Sequence, residues 1–217
     1  MIDDLSEKEQ IALFKKWWKD YGWALLIAIL IGLLIGFGWR YWHQYKVAKA
    51  NQSSNLYMAM LILSDKGDAD KMADMTKEMN EKFSSTPYAV YVKFDLAKKA
   101  VTEKKYEDAI QSLDWVMDHA TNDSFKAIAS LRKARVLLAT KKYSEALAVV
   151  DAIDVNGYQS LIDDTKGDIY AAQDKSSDAV KYYLKAQAEY EKMGQTNALL
   201  SMKIAQYPDN TKSTPSS

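Results

Sequence analysis

The feature of the sequence that most constrains the fold is an uncharged apolar run over residues 21–39, YGWALLIAILIGLLIGFGW. At about 1.5 Å per residue, a helix of this length spans roughly 28 Å, close to the ~30 Å hydrocarbon core of a bilayer. Amphipathic rings favour the headgroup layer, and rings flank both ends of the run: Trp17, Trp18, Tyr21 and Trp23 on one side, and Trp39, Tyr41, Trp42 and Tyr45 on the other. The run therefore predicts a transmembrane helix over residues 21–39.

A cleaved signal peptide and a buried core helix are the two other interpretations of this run. A signal peptide has an apolar region of about 7 to 15 residues that ends in small residues before the cleavage site. Here the run ends in GWRYW (38–42), whose bulky rings leave no such site. The paired aromatic belts argue against a core helix. We expect an uncleaved anchor, preceded by an N-terminal segment over residues 1–20 and followed by a helical juxtamembrane linker over residues 40–50.

Charges near the run leave its orientation open. Four lysines (Lys8, Lys15, Lys16 and Lys19) precede the run and three cations (Arg40, Lys46 and Lys49) follow it, a difference that only slightly favours an N-terminus inside the cell. Within the run, Gly32 and Gly36 form a G-x-x-x-G pair, which would let a second membrane helix approach closely. Glycine is common in membrane helices in any case, so this pair is a candidate packing site and no more.

Composition excludes several functional classes. The chain has 29 basic and 29 acidic side chains, so no net field attracts nucleic acid. It has no cysteine and only two histidines, which removes disulfides, thiolate nucleophiles and most metal chemistry. Asp114, Asp118 and His119 lie close together in sequence, but without a second histidine nearby they are better interpreted as a solvated helix end. No phosphate loop or nucleophile motif occurs, so we expect no enzyme activity and no cofactor.

The remainder of the chain has the pattern of a helical repeat array. After residue 46 it has only four glycines and three prolines, which disfavours a β fold. EKKYEDAI (103–110) recurs as TKKYSEAL (140–147), 37 residues later, and a weaker third copy follows after 33 more. Such a period is typical of helix-turn-helix repeats. The pattern predicts stacked helix pairs, because one amphipathic pair cannot bury its own apolar face.

Small residues recur where the two helices of a pair would cross. They are Ala97, Ala134 and Gly167 on the first helices, and Ala109, Ala146 and Ala179 on the second helices. Residues 51–63 and 69–83 resemble a degenerate first pair around a turn at 65–68, and residues 197–205 can form a capping helix. We predict an all-α chain whose transmembrane helix precedes an α-solenoid of about four helix pairs over residues 51–206, with a disordered tail over residues 207–217.

Candidate partner-binding residues follow from exposed aromatic and flexible side chains. Met72, Met75 and Met79 form a stripe at helical spacing, which could hold varied peptides or simply be a packed core face. Tyr91 and Lys98 would lie on a first helix of the central repeats, facing the concave surface of a solenoid. Tyr91 could equally be packed between neighbouring helices.

The repeats resemble tetratricopeptide repeats, although no proline closes them. With the anchor, the chain resembles the YfgM-type family of ancillary SecYEG translocon subunits; this likeness rests on residues 9–42, especially KKWWKDYG and GWRYW, and on LLSMKIAQ (199–206). The resemblance implies a single-pass protein of the bacterial inner membrane with a cytoplasmic N-terminus and periplasmic repeats. It implies binding to SecYEG and to a membrane-anchored periplasmic chaperone of the prolyl-isomerase type, and assistance to exported client proteins. A scaffold for another cell-envelope membrane complex is the alternative.

Overall fold

The computed structural model describes residues 7–64 and 68–207, which form helices joined by turns, with no strand among them. In chain order these helices are α1 (Glu7–Ser64), α2 (Ala69–Phe83), α3 (Pro87–Thr102), α4 (Tyr106–His119), α5 (Asp123–Ala139), α6 (Tyr143–Asp151), α7 (Gln159–Ala171), α8 (Ser176–Lys192) and α9 (Ala198–Ala205). The prediction of an all-α chain is confirmed. The acidic first residues, most of the predicted turn at 65–68 and all but the first residue of the predicted tail at 207–217 lie outside the described residues.

Helix α1 carries the apolar run within a much longer helix. No glycine or proline occurs between Trp39 and Ser64, so nothing interrupts the helix, and the predicted linker and first repeat helix are both parts of α1. The chain divides into two compact units, residues 1–52 and 53–217, and the boundary falls inside α1. In the first unit the apolar run is long enough to cross a membrane and almost none of it is buried. An exposed apolar surface of this length is expected to contact the hydrocarbon of a lipid bilayer.

In the second unit each helix packs mainly against its neighbours in sequence. Helix α3 contacts α4, α4 contacts α5, α5 contacts α6, and α7 contacts α8. Residues 53–64 of α1 complete the first pair, since Met60 is buried in one cluster with Met79 of α2 and Val92 of α3. This arrangement agrees with the predicted solenoid of helix pairs.

Turns within three of the pairs share one backbone conformation. Lys104, Lys141 and Asp174 adopt left-handed φ angles of 59°, 61° and 58°, and α4, α6 and α8 each begin two residues later. The next residue in each turn donates its amide to a carbonyl five positions back: Lys105 to Ala100 at 2.8 Å, Lys142 to Leu137 at 2.8 Å, and Lys175 to Tyr170 at 3.0 Å. This bond satisfies a carbonyl that the helix end leaves without an intrahelical partner. The repeat visible in the sequence is therefore also a repeat of backbone geometry.

The small residues predicted at the helix crossings are all buried. They are Ala97, Ala109, Ala134, Ala146, Gly167 and Ala179. At Gly167 the reason for the small size is direct, because the ring of Tyr183 on α8 occupies the space that a Cβ atom would need. That these residues set the repeat register remains a prediction.

An ion-pair cluster attaches the last helix to the repeats. Lys203 of α9 lies 2.8 Å from Asp164 and 2.6 Å from Asp168, both on α7. The Tyr183 hydroxyl donates to the same Asp168 oxygen at 2.9 Å. Burial lowers the pKa of Lys203, but hydrogen bonds and charge from Asp164 and Asp168 outweigh it and raise that pKa. The lysine is therefore charged at neutral pH and holds α9 against α7.

Candidate binding groove

A groove of about 440 Å³ lies in the second unit, between the end of α1, the start of α2 and one face of α3. Its apolar lining comes from Met60 and Leu61 of α1, Met72 of α2, and Val92 and Leu96 of α3. Three charged side chains of α3 also line it: Asp95, Lys98 and Lys99. An apolar floor with a few charged groups is the usual composition of a binding groove. We call this feature the α1–α3 groove.

Tyr57 of α1 lines the α1–α3 groove and is fixed by a hydrogen bond to α3. Its hydroxyl donates to Asp95 Oδ2 at 2.8 Å. Burial first, then the hydrogen bond to Asp95 and the charge of that carboxylate, raise the pKa of Tyr57 to about 12. The hydroxyl is therefore protonated at neutral pH and remains a donor. The bond fixes the position of one wall of the groove relative to the other.

An aromatic cluster adjoins the groove through the same tyrosine. It consists of Tyr57, Tyr88, Tyr91 and Phe125, and its neighbouring ring centroids lie 5.7–6.0 Å apart. Tyr91 has 38% of its surface exposed, and its ring meets that of Phe125 edge to face. Exposed rings held by other rings lose little conformational freedom on binding, which makes them effective anchors. The cluster and the groove form one continuous candidate surface.

Of the predicted partner-binding residues, the structure places Lys98 and Met72 in the groove and Tyr91 in the aromatic cluster. Met75 is half-buried beside Met72 in the core formed by α1, α2 and α3. Met79 is fully buried there and presents no surface to a partner. The methionine stripe is thus mostly the packed core face that sequence analysis weighed as its alternative, because only its N-terminal end reaches the groove.

Sequence reasoning missed Tyr57 and Asp95, the two residues that join the groove walls. They are 38 positions apart in sequence, and neither belongs to a motif. Tyr91, Asp95 and Lys98 do follow one another at helical spacing on α3, so they share one face. This spacing in the sequence could have identified Asp95 as a further candidate, because it shares a face with Tyr91 and Lys98. It could not have identified Tyr57, which lies on a different helix.

Two further candidates lie away from the groove. An added Cβ atom at Gly32 or Gly36 would meet nothing within 4 Å, so the G-x-x-x-G face of α1 is open. On α4, Asp114 pairs with Lys133 of α5 at 2.5 Å, while at the end of the helix the His119 ring stacks on Trp115 with centroids 4.5 Å apart. Across residues 7–64 and 68–207 no group of three or more acidic, histidine or cysteine side chains could hold a metal ion.

Comparisons with known proteins extend over both units. A family model described as a tetratricopeptide repeat-like domain matches residues 15–208. Curated proteins named ancillary SecYEG translocon subunit are similar to the chain: that of Neisseria gonorrhoeae is 32% identical over 94% of this chain and 98% of its own length, and that of Haemophilus influenzae is 24% identical over 93% and 98%. The Escherichia coli protein of that name is 26% identical over 75% of this chain and 78% of its own length. No solved structure matches. The matches confirm the tetratricopeptide-like class of the repeats.

Proposed function

Because the chain belongs to the family of ancillary SecYEG translocon subunits, which carry a tetratricopeptide repeat-like domain, we propose that it is a non-catalytic membrane-anchored scaffold bound to SecYEG. The observation that carries the proposal is the reach of the similarity, which covers 98% of the Neisseria gonorrhoeae subunit and so includes anchor and repeats together. The exposed apolar run of α1 supports a single membrane crossing. The bilayer is that of the bacterial inner membrane, with the repeats in the periplasm.

The α1–α3 groove is the recognition surface of this scaffold. Its apolar floor can take a few apolar side chains of an exported protein that has not yet folded, while Lys98 and Lys99 add charge at the rim. Tyr91 adds an aromatic anchor beside it. Such contacts are weak individually, but an anchor in the same membrane as the translocon raises the local concentration of the groove.

A membrane-anchored periplasmic chaperone of the prolyl-isomerase type is the second partner of the scaffold. Tetratricopeptide-like repeats form extended surfaces, and this chain has exposed helix faces beyond the groove along α5 to α8. One scaffold can therefore hold a client and a chaperone at different repeats. The consequence is transfer of an exported protein from the translocon to the chaperone without release.

Photo-crosslinking in living bacteria tests the groove. A photoreactive residue replaces Leu61, Tyr91 or Lys98 in turn, and Glu107 on the exposed face of α4 serves as the matched control. We expect adducts to a SecYEG subunit, the chaperone or an exported protein from the three groove and cluster positions, and few from Glu107. Equal labelling at all four positions would contradict the groove. Adducts only to a different envelope complex would favour the alternative scaffold function.

A further inference from the structure

Four of the five rings between residues 14 and 23 lie on one face of α1, and the fifth, Trp23 inside the apolar run, lies on the other side. An α-helix turns by about 100° from one residue to the next. Viewed down the helix axis, the face that carries these four rings is about 100° wide; they belong to Phe14, Trp17, Trp18 and Tyr21. Their rings are in contact: Phe14 lies 6.2 Å from both Trp17 and Trp18, and Trp17 lies 6.3 Å from Tyr21. All four are at least 45% exposed. The segment thus presents one continuous aromatic ladder.

Lysines occupy the opposite face of the same turns. Lys8, Lys15, Lys16 and Lys19 fall within a second arc of about 100°, centred roughly 160° from the ring face. In the part of the chain that the structure describes, no carboxylate forms an ion pair with Lys15, Lys16 or Lys19. Three ammonium groups are therefore available to an anionic ligand.

Position along the helix puts these lysines at headgroup depth. Lys19, Lys16 and Lys15 precede Tyr21 by two, five and six residues, which is roughly 3 to 9 Å along the helix axis. The polar layer on each side of the ~30 Å hydrocarbon core is about 5 to 8 Å thick. The ammonium groups at the ends of these side chains can therefore reach lipid phosphates, while Trp18 and Tyr21, within about 5 Å of the end of the run, lie near the hydrocarbon boundary.

The other end of the apolar run lacks this separation of rings and cations. There Lys46 Nζ lies 3.6 Å from the centroid of the Trp42 ring, so a cation is paired with a ring of the belt itself. Trp39 and Trp42, with centroids 5.9 Å apart, flank the same side of the helix as Lys46. The two flanks have similar composition but different organisation, because the lysines before the run lie together on one face while Arg40, Lys46 and Lys49 after it do not.

We infer that residues 14–21 form a binding site for the headgroups of anionic phospholipids. Lys15, Lys16 and Lys19 bind the lipid phosphate, whose negative charge no headgroup cation neutralises in an anionic phospholipid, and the aromatic ladder contributes to the depth of the helix in the bilayer. Charge complementarity and continuity with the apolar run select a lipid as the occupant, since any other acidic ligand would have to compete with headgroups at this depth. The site rests on the membrane crossing proposed above.

Lipid binding to the full-length protein in a neutral detergent tests this site. Native mass spectrometry compares adducts of phosphatidylglycerol and phosphatidylcholine on the wild type, on a variant with Lys15→Gln, Lys16→Gln and Lys19→Gln, and on a matched control. The control, Arg40→Gln, Lys46→Gln and Lys49→Gln, removes the same charge from the other flank. We expect phosphatidylglycerol affinity to fall by about 100-fold in the first variant and to change little in the control. Replacement of the same three lysines by arginine should restore binding.

Three results would overturn the site. Equal losses in both glutamine variants would mean that only total charge counts, and equal binding of the two lipids would mean that only apolar contact counts. Unchanged binding in the Lys15→Gln, Lys16→Gln, Lys19→Gln variant would show that these lysines do not bind the lipid headgroup. Reconstitution into phosphatidylcholine vesicles tests the membrane crossing separately, because insertion of the apolar run does not need these lysines.

Discussion

Gly167 and Tyr183 form a contact between α7 and α8 in which one residue must lack a side chain. The tyrosine ring lies where a Cβ atom of residue 167 would stand, and its hydroxyl is fixed by Asp168. Burial first, then the charge of Asp168 and its hydrogen bond, raise the pKa of Tyr183 well above the usual value. The hydroxyl of Tyr183 is therefore protonated at neutral pH and remains a hydrogen-bond donor. The ring therefore cannot rotate away cheaply to admit a larger residue at 167.

Gly167→Ala should lower the free energy of unfolding by about 1 to 3 kcal/mol, because the added methyl group overpacks this contact. Chemical denaturation of the wild type and the variant measures the change. The same substitution in a Tyr183→Ala background should be neutral or stabilising, since alanine favours the helix once the ring is absent. An equal loss in both backgrounds would mean that Tyr183 is not the cause.

At the scale of the element, α9 is a helix of eight residues whose position depends on few contacts. Leu200 is buried beside Tyr183, and Lys203 joins Asp164 and Asp168. The side chains of Lys203 and Asp164 are 19% and 13% exposed, so their charges are poorly solvated when separated. By contrast, Lys192 and Glu189 of α8 form a pair of similar length, 2.7 Å, with the lysine 69% exposed.

Lys203→Met should destabilise the repeat domain by roughly 3 kcal/mol, because it leaves two carboxylates without their cation. Lys192→Met should change stability by less than about 1 kcal/mol, since exposed pairs contribute little. Denaturant unfolding of both variants at pH 7 measures this difference.

The pH dependence of the same variant provides a check. The pKa of Lys203 is raised above 10.5 in the folded chain, so its contribution is present in full below that pH and is lost as the pH rises further. The penalty of Lys203→Met should therefore shrink above pH 10.5. A constant penalty up to pH 12 would contradict the ion-pair explanation.

Helix boundaries within the repeats could be predicted because their signals are local. The tyrosines of EKKYEDAI and TKKYSEAL are the first residues of α4 and α6, and Ser176 begins α8 at the matching position. The groove and the α9 cluster could not be predicted in this way. Each depends on a contact between distant residues, Tyr57 with Asp95 and Lys203 with Asp164, separated by 38 and 39 positions, and helical periodicity carries no information about such pairs.

At the scale of the whole molecule, a long apolar helix was predictable because bilayer thickness sets a length that a membrane-spanning segment must meet. The side of the membrane on which the repeats lie could not be predicted, since the charges that flank the apolar run are nearly balanced. The chain contains no cysteine, so a single introduced thiol reports its own location without background.

Cysteine labelling of intact spheroplasts should therefore establish the orientation. A membrane-impermeant maleimide should label Lys141→Cys, in an exposed turn of the repeats, before lysis, and should label Lys8→Cys only after lysis. Leu33→Cys, within the apolar run, should remain unlabelled in both conditions because lipid excludes the reagent. Labelling of Lys8→Cys in intact spheroplasts, with protection of Lys141→Cys, would place the repeats in the cytoplasm.

The packing of each helix on its sequence neighbours has a consequence for the speed and order of folding. Contacts between nearby segments cost little loop-closure entropy, so domains rich in them fold in microseconds to milliseconds. A chain that enters its compartment with the N-terminus first can close α3 on α4 while α7 to α9 are still arriving. The ion pairs between α7 and α9 form late in this order, because Asp164 acquires its lysine partner only when residue 203 emerges.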